Sequence, residues 1–219
     1  MKARVTETDC GIQGEFNVAV YDELQRNLRD KGFMETDELI KSGIKNGLVL
    51  EVGPGPGYLG LEWLKKTQET RLKGLDISPD MVNLARKNAR DYGMESRTDY
   101  IVSPGDSMPF EDQSFDAVFT NGSLHEWANP EQTMNEIWRV LKSGGRVFIS
   151  DFKRDMNFLI RWVLWFTAKP KAIRPGLLTS INAAYTRDEL AGLIRKTRMS
   201  NCSISSNCIG LTVAGIKRT

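Results

Sequence analysis

The order of apolar runs and helical segments along the chain is the feature that most constrains its fold. Five apolar runs predict strands, and they are Leu48–Val52, Leu72–Ile77, Tyr100–Ser103, Phe115–Thr120 and Arg146–Ser150. Helical patterns separate most of them, which requires crossover connections and therefore parallel strands with helices on both faces. Residues 201–218 predict two further strands that pair as a hairpin around Gly210. The sequence thus predicts a doubly wound, mostly parallel seven-stranded α/β sheet that ends in a C-terminal antiparallel hairpin.

Capping residues define several of the predicted helices. Tyr58–Lys66 is the first helix between strands. The second has Ser78 as N-cap and stops near Gly93, and the third has Asn129 as N-cap and ends before Gly144. Whether a helix lies between the third and fourth predicted strands is left open. A further helix over 186–196 starts with a capping box. The remaining helical patterns lie in 17–43, broken at Gly32, and in 153–185, a tryptophan-rich helix followed by a loop with Pro170 and Pro175.

Composition excludes several classes of protein. The chain has 219 residues, of which 40% are hydrophobic and 26% charged, and this argues against disorder and against an integral membrane protein. A net charge of +2 gives no general affinity for nucleic acid. The N-terminus lacks the apolar core of a signal peptide. Cys10, Cys202 and Cys208 form a sparse, odd set that suits a reducing compartment, so we expect a cytoplasmic protein.

The stretch VLEVGPGPGYLG, residues 49–60, joins a strand to a glycine loop. Its last six residues match the dinucleotide pattern G-x-G-x-x-G, but that pattern requires its first glycine directly after the strand, and this glycine is Gly53. Counted from Gly53, the third glycine position holds Tyr58, so the pattern fails. The carboxylate of Glu51 would also repel a pyrophosphate and attract a cationic ligand. The loop therefore predicts a ligand other than a dinucleotide.

The anchored pattern, EVGPGPG, resembles the first motif of class I S-adenosylmethionine-dependent methyltransferases, in particular the small-molecule type 11-like family. An acid at the end of the second strand, the block SPGDSMPFEDQSFDAVFTNGSLHEW and the block LKSGGRVFISDF resemble the later motifs, in the same order. The resemblance is strong over residues 40–150 and extends to 186–219 by topology. It implies a Rossmann-like fold, S-adenosylmethionine as cofactor, S-adenosylhomocysteine as product, and an in-line methyl transfer that needs no metal.

The resemblance also implies which residues bind the cofactor. Asp76 would accept hydrogen bonds from the ribose, Asp106 would meet the adenine amino group between Ser107 and Met108, and Glu51 would favour the ammonium group. The full implied set is Glu51, Gly53, Pro54, Gly55, Gly57, Asp76, Ile77, Met81, Gly105, Asp106, Ser107, Met108, Asn121 and Gly122.

His125, the only histidine, follows the fourth predicted strand and is the candidate catalytic base. It would take a proton from a hydroxyl, thiol or acidic carbon of the acceptor, whereas an uncharged amine would need no base. Glu126 is a competing base, and His125 could instead order the turn or pack with Trp127. Tyr21 and Tyr185 lie in segments that could close over the site. The three cysteines, by contrast, are far from the expected site in the sequence and receive structural or incidental roles.

Residues 153–176 carry six Lys or Arg against one Asp, a net charge of +5, around the apolar run of 156–168. This run is too short to span a bilayer. The run predicts either a substrate lid or a packed helix with a solvated basic face. Peripheral membrane contact through the run is also left open. The lid interpretation favours a small hydrophobic, quinone-like or lipid-like methyl acceptor. Neither the acceptor atom nor the oligomeric state follows from the sequence.

The predicted organisation is one domain over 1–219. Its segments are an N-terminal helical part (1–45), a cofactor-binding core (46–152), a lid insertion (153–185) and a C-terminal helix with hairpin (186–219). We expect no dedicated nucleic-acid-binding module. Two other functional classes remain open: a regulatory or scaffold protein that binds S-adenosylmethionine without turnover, and a nicotinamide dehydrogenase, which Glu51 disfavours.

Overall fold

The computed structural model describes residues 4–5 and 11–218. Cys10 therefore lies outside the described residues. The strands are β1 (Gly47–Val52), β2 (Thr70–Asp76), β3 (Thr98–Val102), β4 (Phe115–Asn121), β5 (Leu141–Phe152), β6 (Ser203–Ser206) and β7 (Gly210–Ile216). The helices are α1 (Glu15–Asp30), α2 (Thr36–Lys41), α3 (Tyr58–Lys66), α4 (Pro79–Asp91), α5 (Pro130–Val140), α6 (Phe158–Thr167), α7 (Arg174–Ala183) and α8 (Arg187–Arg195). Short 3₁₀ turns cover Glu95–Arg97, Leu124–Glu126 and Lys171–Ile173.

The strands form one seven-stranded sheet in the order β3-β2-β1-β4-β5-β7-β6. Strands β1 to β5 are parallel, whereas β7 runs antiparallel to both β5 and β6. The predicted fold class, including the C-terminal hairpin, is confirmed. The strand order reverses between β1 and β4, and a ligand crevice in such a sheet opens at the carboxyl ends of the strands next to this point.

Two apolar layers hold the sheet between helices. On one face, Val52, Val118 and Ile149 pack with residues of α5 and α8. On the other face, Val49 and Phe119 pack with residues of α2 and α3. Side chains alternate between the two faces of the sheet along a strand. The face to which a strand-end side chain points therefore follows from the core residues that precede it in the strand.

Most predicted caps are present. The Ser78 hydroxyl accepts from the Met81 amide, and Thr186 and Glu189 form the predicted capping box. Asn129 is the N-cap residue of α5, as predicted, but its side chain makes no capping hydrogen bond, and its Nδ2 donates to Asp106 Oδ2 at 2.7 Å. A charged carboxylate is a strong partner for the side-chain NH2 group, and this bond directs the side chain to the crevice.

Two predicted boundaries differ from the structure. β5 starts at Leu141, five residues before the predicted Arg146, because Leu141 already pairs with Phe115 of β4, ahead of an irregularity in the register before Arg146. The loop predicted around Pro175 is the first turn of α7. Proline suits that position because the first amides of a helix have no intrahelical acceptor. Residues 103–114, all of which the structure describes, form a loop, so the helix left open there is absent.

Candidate functional site

A cavity of about 320 Å³ opens at the carboxyl ends of β1, β2, β3 and β4. Its walls come from the loops after these strands, from α1 and from the segment before α1. The lining residues are Gly11, Ile12, Tyr21, Val52, Gly53, Gly55, Leu75, Asp76, Ile77, Met81, Ser103, Pro104, Gly105, Asp106, Gly122, Ser123, Glu126, Trp127, Ala128, Asn129 and Thr133. Eight of the predicted cofactor residues are among them: Gly53, Gly55, Asp76, Ile77, Met81, Gly105, Asp106 and Gly122.

The glycine loop needs its glycines for two reasons. Gly53, Gly55 and Gly57 have φ angles of 67°, 52° and 81°, which side chains of L-residues rarely tolerate. A Cβ on Gly53 would also lie 2.7 Å from Ser123 Cβ. The backbone of Gly53 and Gly55 consequently reaches the cavity without a side chain in front of it.

Asp76 ends β2 and lies at the cavity wall, almost buried. Its Oδ2 accepts from the Gly55 amide at 3.0 Å, and its Oδ1 accepts from the Ser78 amide at 2.9 Å. Burial raises the pKa of Asp76, and these backbone donors oppose the rise. The carboxylate thereby ties the glycine loop to the start of α4 and presents acceptor oxygens to the cavity.

Asp106 lies across the cavity from the glycine loop. Its side chain accepts from the Asn129 amide, and both residues line the cavity together with Gly105. Ile77 and Met81 provide apolar surface between the two acids. The cavity thus combines two carboxylates, an apolar wall and exposed loop backbone.

Glu51 is placed differently from the expectation. It is buried and absent from the cavity lining, since it lies on the α3 face of β1, where a Cβ on Gly60 would overlap its Oε2. Among the described residues, none donates a hydrogen bond to Oε2 at bonding geometry. Burial raises the pKa of Glu51 to about 8, the charge of Asp76 adds to the rise, and the nearby Gly60 amide opposes it. Glu51 therefore does not line this cavity, and its effect on a ligand's ammonium group stays a prediction.

Five other predicted cofactor residues also lie away from the cavity lining. Gly57 has a positive φ, and a Cβ built on it would lie 2.9 Å from the Tyr100 hydroxyl. Its place is therefore in the tight turn directly before α3. Met108 is buried in the apolar core, because its side chain points into the layer under α5. The side-chain amide of Asn121 donates to Glu35 and Ser150 on the α2 face. Pro54 packs toward Gly74, and the Ser107 carbonyl accepts from Ser103.

His125 forms a buried pair with Asp151, an acid at the end of β5. Its Nδ1 is 2.8 Å from Asp151 Oδ1 and 2.9 Å from Oδ2, and its backbone amide donates to the same carboxylate. Because the carboxylate accepts, Nδ1 carries the proton and Nε2 is the basic nitrogen. Nε2 lies 3.8 Å from Glu126 Oε1. His125 itself does not line the cavity, whereas its neighbour Glu126 does.

The N-terminal part of the chain covers the cavity. Tyr21 of α1 lies over Gly55, 3.2 Å from a Cβ built there, and burial raises its pKa. The Ile12 carbonyl accepts from the Ser78 hydroxyl, and Arg4 donates to the His125 carbonyl. Tyr185 lies outside the lining, beneath the Arg4 guanidinium. No described residue of 153–185 lines the cavity, and the lid hypothesis for that segment stays a prediction.

Sequence reasoning missed Asp151, Ser123 and the contribution of Gly11 and Ile12. A signal existed for Asp151: it is an acid at the carboxyl end of a predicted parallel strand, at the same edge as His125. No comparable signal existed for the N-terminal residues, since their position depends on how the chain before α1 folds back over α4.

Comparisons with known proteins agree with this geometry. Residues 50–149 match the family described as "Methyltransferase domain". A ubiquinone/menaquinone biosynthesis C-methyltransferase of Geotalea daltonii is 31% identical over 122 residues, which cover 55% of this chain and 52% of the relative. The chain thus matches about half the length of this curated relative.

Solved structures show the same fold. An S-adenosylmethionine-dependent methyltransferase, described as putative, from Methanococcus maripaludis has a TM-score of 0.72 at 21% identity and covers 100% of this chain and 97% of its own. A second methyltransferase, from Aquifex aeolicus, has a TM-score of 0.64 at 20% identity, with 84% and 90% covered. Residues 50–149 therefore resemble a methyltransferase domain, and the chain shares the fold of these solved structures.

Proposed function

We propose that the protein transfers a methyl group from S-adenosylmethionine to a small hydrophobic acceptor. The observation that carries the proposal is the buried His125–Asp151 pair next to a cavity with the acids Asp76 and Asp106 on its walls. A quinone-like acceptor is the first candidate because the Geotalea relative is named for ubiquinone and menaquinone biosynthesis.

The cavity residues fit S-adenosylmethionine. Asp76 and Asp106 offer carboxylate oxygens to ribose hydroxyls and to an amino group, and Ile77 and Met81 suit an adenine ring. The backbone amide groups at the N-terminus of α3, which follows the glycine loop, favour the binding of a carboxylate group. When bound, the cofactor supplies an electrophilic methyl group. Glu51, buried under α3, would act on a cationic ligand only in its ionised form, which a bound cation would favour against the raised pKa of about 8.

The chain's own part in the reaction is to align the acceptor and to hold its proton. With Nδ1 bonded to Asp151, the basic Nε2 of His125 is directed to the side of Glu126, which reaches the cavity. His125 would receive the proton of an acceptor hydroxyl, thiol or acidic carbon, and Asp151 would stabilise the imidazolium. Tyr21 and Trp127 line the cavity and would help to exclude water from it once the ligands are bound.

We expect Asp76→Asn to weaken S-adenosylmethionine binding by about 1.5–3 kcal/mol, because it removes the charge behind two hydrogen bonds. Isothermal titration calorimetry measures the change. Asp99→Asn, an equal charge change on exposed β3, is the control and should bind as the wild type does. Unchanged affinity in a folded Asp76→Asn protein would contradict the role of Asp76 in cofactor binding. Tighter binding of NAD than of S-adenosylmethionine would favour the alternative function, a nicotinamide dehydrogenase.

Methyl transfer itself is tested with radiolabelled S-adenosylmethionine and a panel of quinones, phenols, thiols, amines and lipids. We expect transfer to a hydrophobic member with an acidic carbon or hydroxyl. Tight cofactor binding without transfer to any acceptor would favour the alternative, a regulatory or scaffold protein that binds the cofactor without turnover.

A further inference from the structure

The exposed face of α6 is unusual for a surface helix. Phe158, Leu159, Trp162, Val163 and Phe166 are between 50% and 74% exposed, and none of the helix residues is buried. At positions i, i+1, i+4, i+5 and i+8, these five side chains form one continuous stripe. A surface helix normally presents polar residues on its outer side, so an apolar stripe of this size marks a surface that another phase or molecule covers. We call these five side chains the α6 stripe.

Contacts within the protein hold α6 against α7. Trp162 and Phe166 stack with ring centroids 5.3 Å apart. On the inner side of α6, Arg161 donates to Asn182 of α7 at 2.8 Å, and Arg174 lies over the Trp165 ring. α7 in turn packs against the 3₁₀ turn that holds His125. The inner side thus has partners within the protein, and the stripe projects from a fixed support close to the site.

The charges around the stripe have one sign. Residues 156–187 contain no Asp or Glu, and they include the exposed cations Lys169 and Lys171 directly after α6. A second copy of this chain would bring these cations against their own equivalents across a two-fold axis, which disfavours a symmetric dimer through the stripe. An anionic lipid surface satisfies both features, because it accepts apolar side chains and attracts lysines.

We propose that the α6 stripe docks the protein on an anionic lipid bilayer, with Lys169 and Lys171 at the phosphate level. The helix lies along the interface. Among the described residues, no helix is long and apolar enough to cross a membrane. The proposal is independent of the acceptor's identity, although a surface-bound enzyme would meet lipid-dissolved acceptors directly.

Vesicle co-sedimentation of the full chain tests the proposal, with phosphatidylcholine vesicles that contain or lack phosphatidylglycerol. We expect binding to the anionic vesicles that weakens with salt. Replacing Phe158, Trp162 and Phe166 together by serine should weaken it at least about 100-fold. Phe33→Ser, which removes an equally exposed aromatic elsewhere, should not. Lys169→Gln with Lys171→Gln should weaken binding to anionic vesicles about 30-fold, and binding to neutral vesicles much less.

Thermal unfolding and S-adenosylmethionine titration confirm that each variant is folded, and these readouts also separate this test from the proposed reaction. Absence of wild-type binding to anionic vesicles, or equal binding by the triple variant, would overturn the proposal. A wild-type dimer in analytical ultracentrifugation that the triple variant converts to a monomer would overturn it too and would assign the stripe to a second copy.

Discussion

His125→Gln is expected to lower the rate of methyl transfer by about 10²–10⁴-fold for an acceptor that must lose a proton. The basic nitrogen disappears, while the glutamine amide still offers a donor to Asp151. This choice avoids leaving the Asp151 carboxylate buried without a partner, which would destabilise the fold. Single-turnover assays with saturating cofactor measure the chemical step.

Asp151→Asn provides the positioning test for the same pair. It keeps a polar partner for Nδ1 but removes the charge that stabilises the imidazolium, so we expect a smaller rate loss and a shifted acidic limb of the pH–rate profile. Cofactor affinity should stay at the wild-type value in both variants, because neither residue lines the cavity. If Glu126→Gln abolishes transfer while His125→Gln does not, the base is Glu126. Wild-type rates in all three variants would indicate an acceptor, such as an amine, that needs no base.

Glu51→Gln is expected to remove a large pH dependence from the stability of the cofactor-free protein. The pKa of Glu51 rises from 4.5 to about 8 on folding, chiefly through burial, so the folded state binds a proton that the unfolded state releases. Stability from this group is therefore complete below pH 4.5 and is lost as the pH rises towards 8. The loss is on the order of 4 kcal/mol.

Urea unfolding at several values across this pH range measures the effect. Glutamine resembles the protonated acid, so the variant should match the wild type near pH 5 and exceed its stability near pH 8. Glu111→Gln, on the exposed loop before β4, changes the net charge equally and should leave the wild-type pH dependence intact. A constant difference between the wild type and Glu51→Gln from pH 5 to pH 8 would contradict a protonated, buried Glu51.

The sheet and the position of the crevice followed from sequence because both depend on local pattern. Strand–helix alternation leaves a parallel sheet as the solution, and parallel strands bring their carboxyl ends to one edge. Gly53, Gly55, Asp76 and Asp106 were found for that reason. Gly53 and Gly55 follow β1, Asp76 ends β2, and Asp106 lies in the loop after β3, so chain direction alone brings them to the edge.

The role of individual strand-end side chains did not follow so directly. Glu51 and Asn121 have the right residue type at the right edge, but each lies on the α2 and α3 face of the sheet and points away from the cavity. Met108 was expected beside a ligand ring and instead fills the core under α5. A motif locates the backbone of such residues, whereas the packing of the helices decides which way their side chains point.

By itself, the sequence determined the fold class, the loop that excludes a dinucleotide and the acids at the crevice, because strand alternation and positive-φ glycines are local properties. Tertiary structure alone decided three other features: the pairing of His125 with Asp151, the burial of Glu51 beneath Gly60, and the apolar stripe of α6 on the surface. Each depends on how separate elements pack together, and the same apolar periodicity is typical of a buried helix and of an exposed one, so the sequence does not distinguish them.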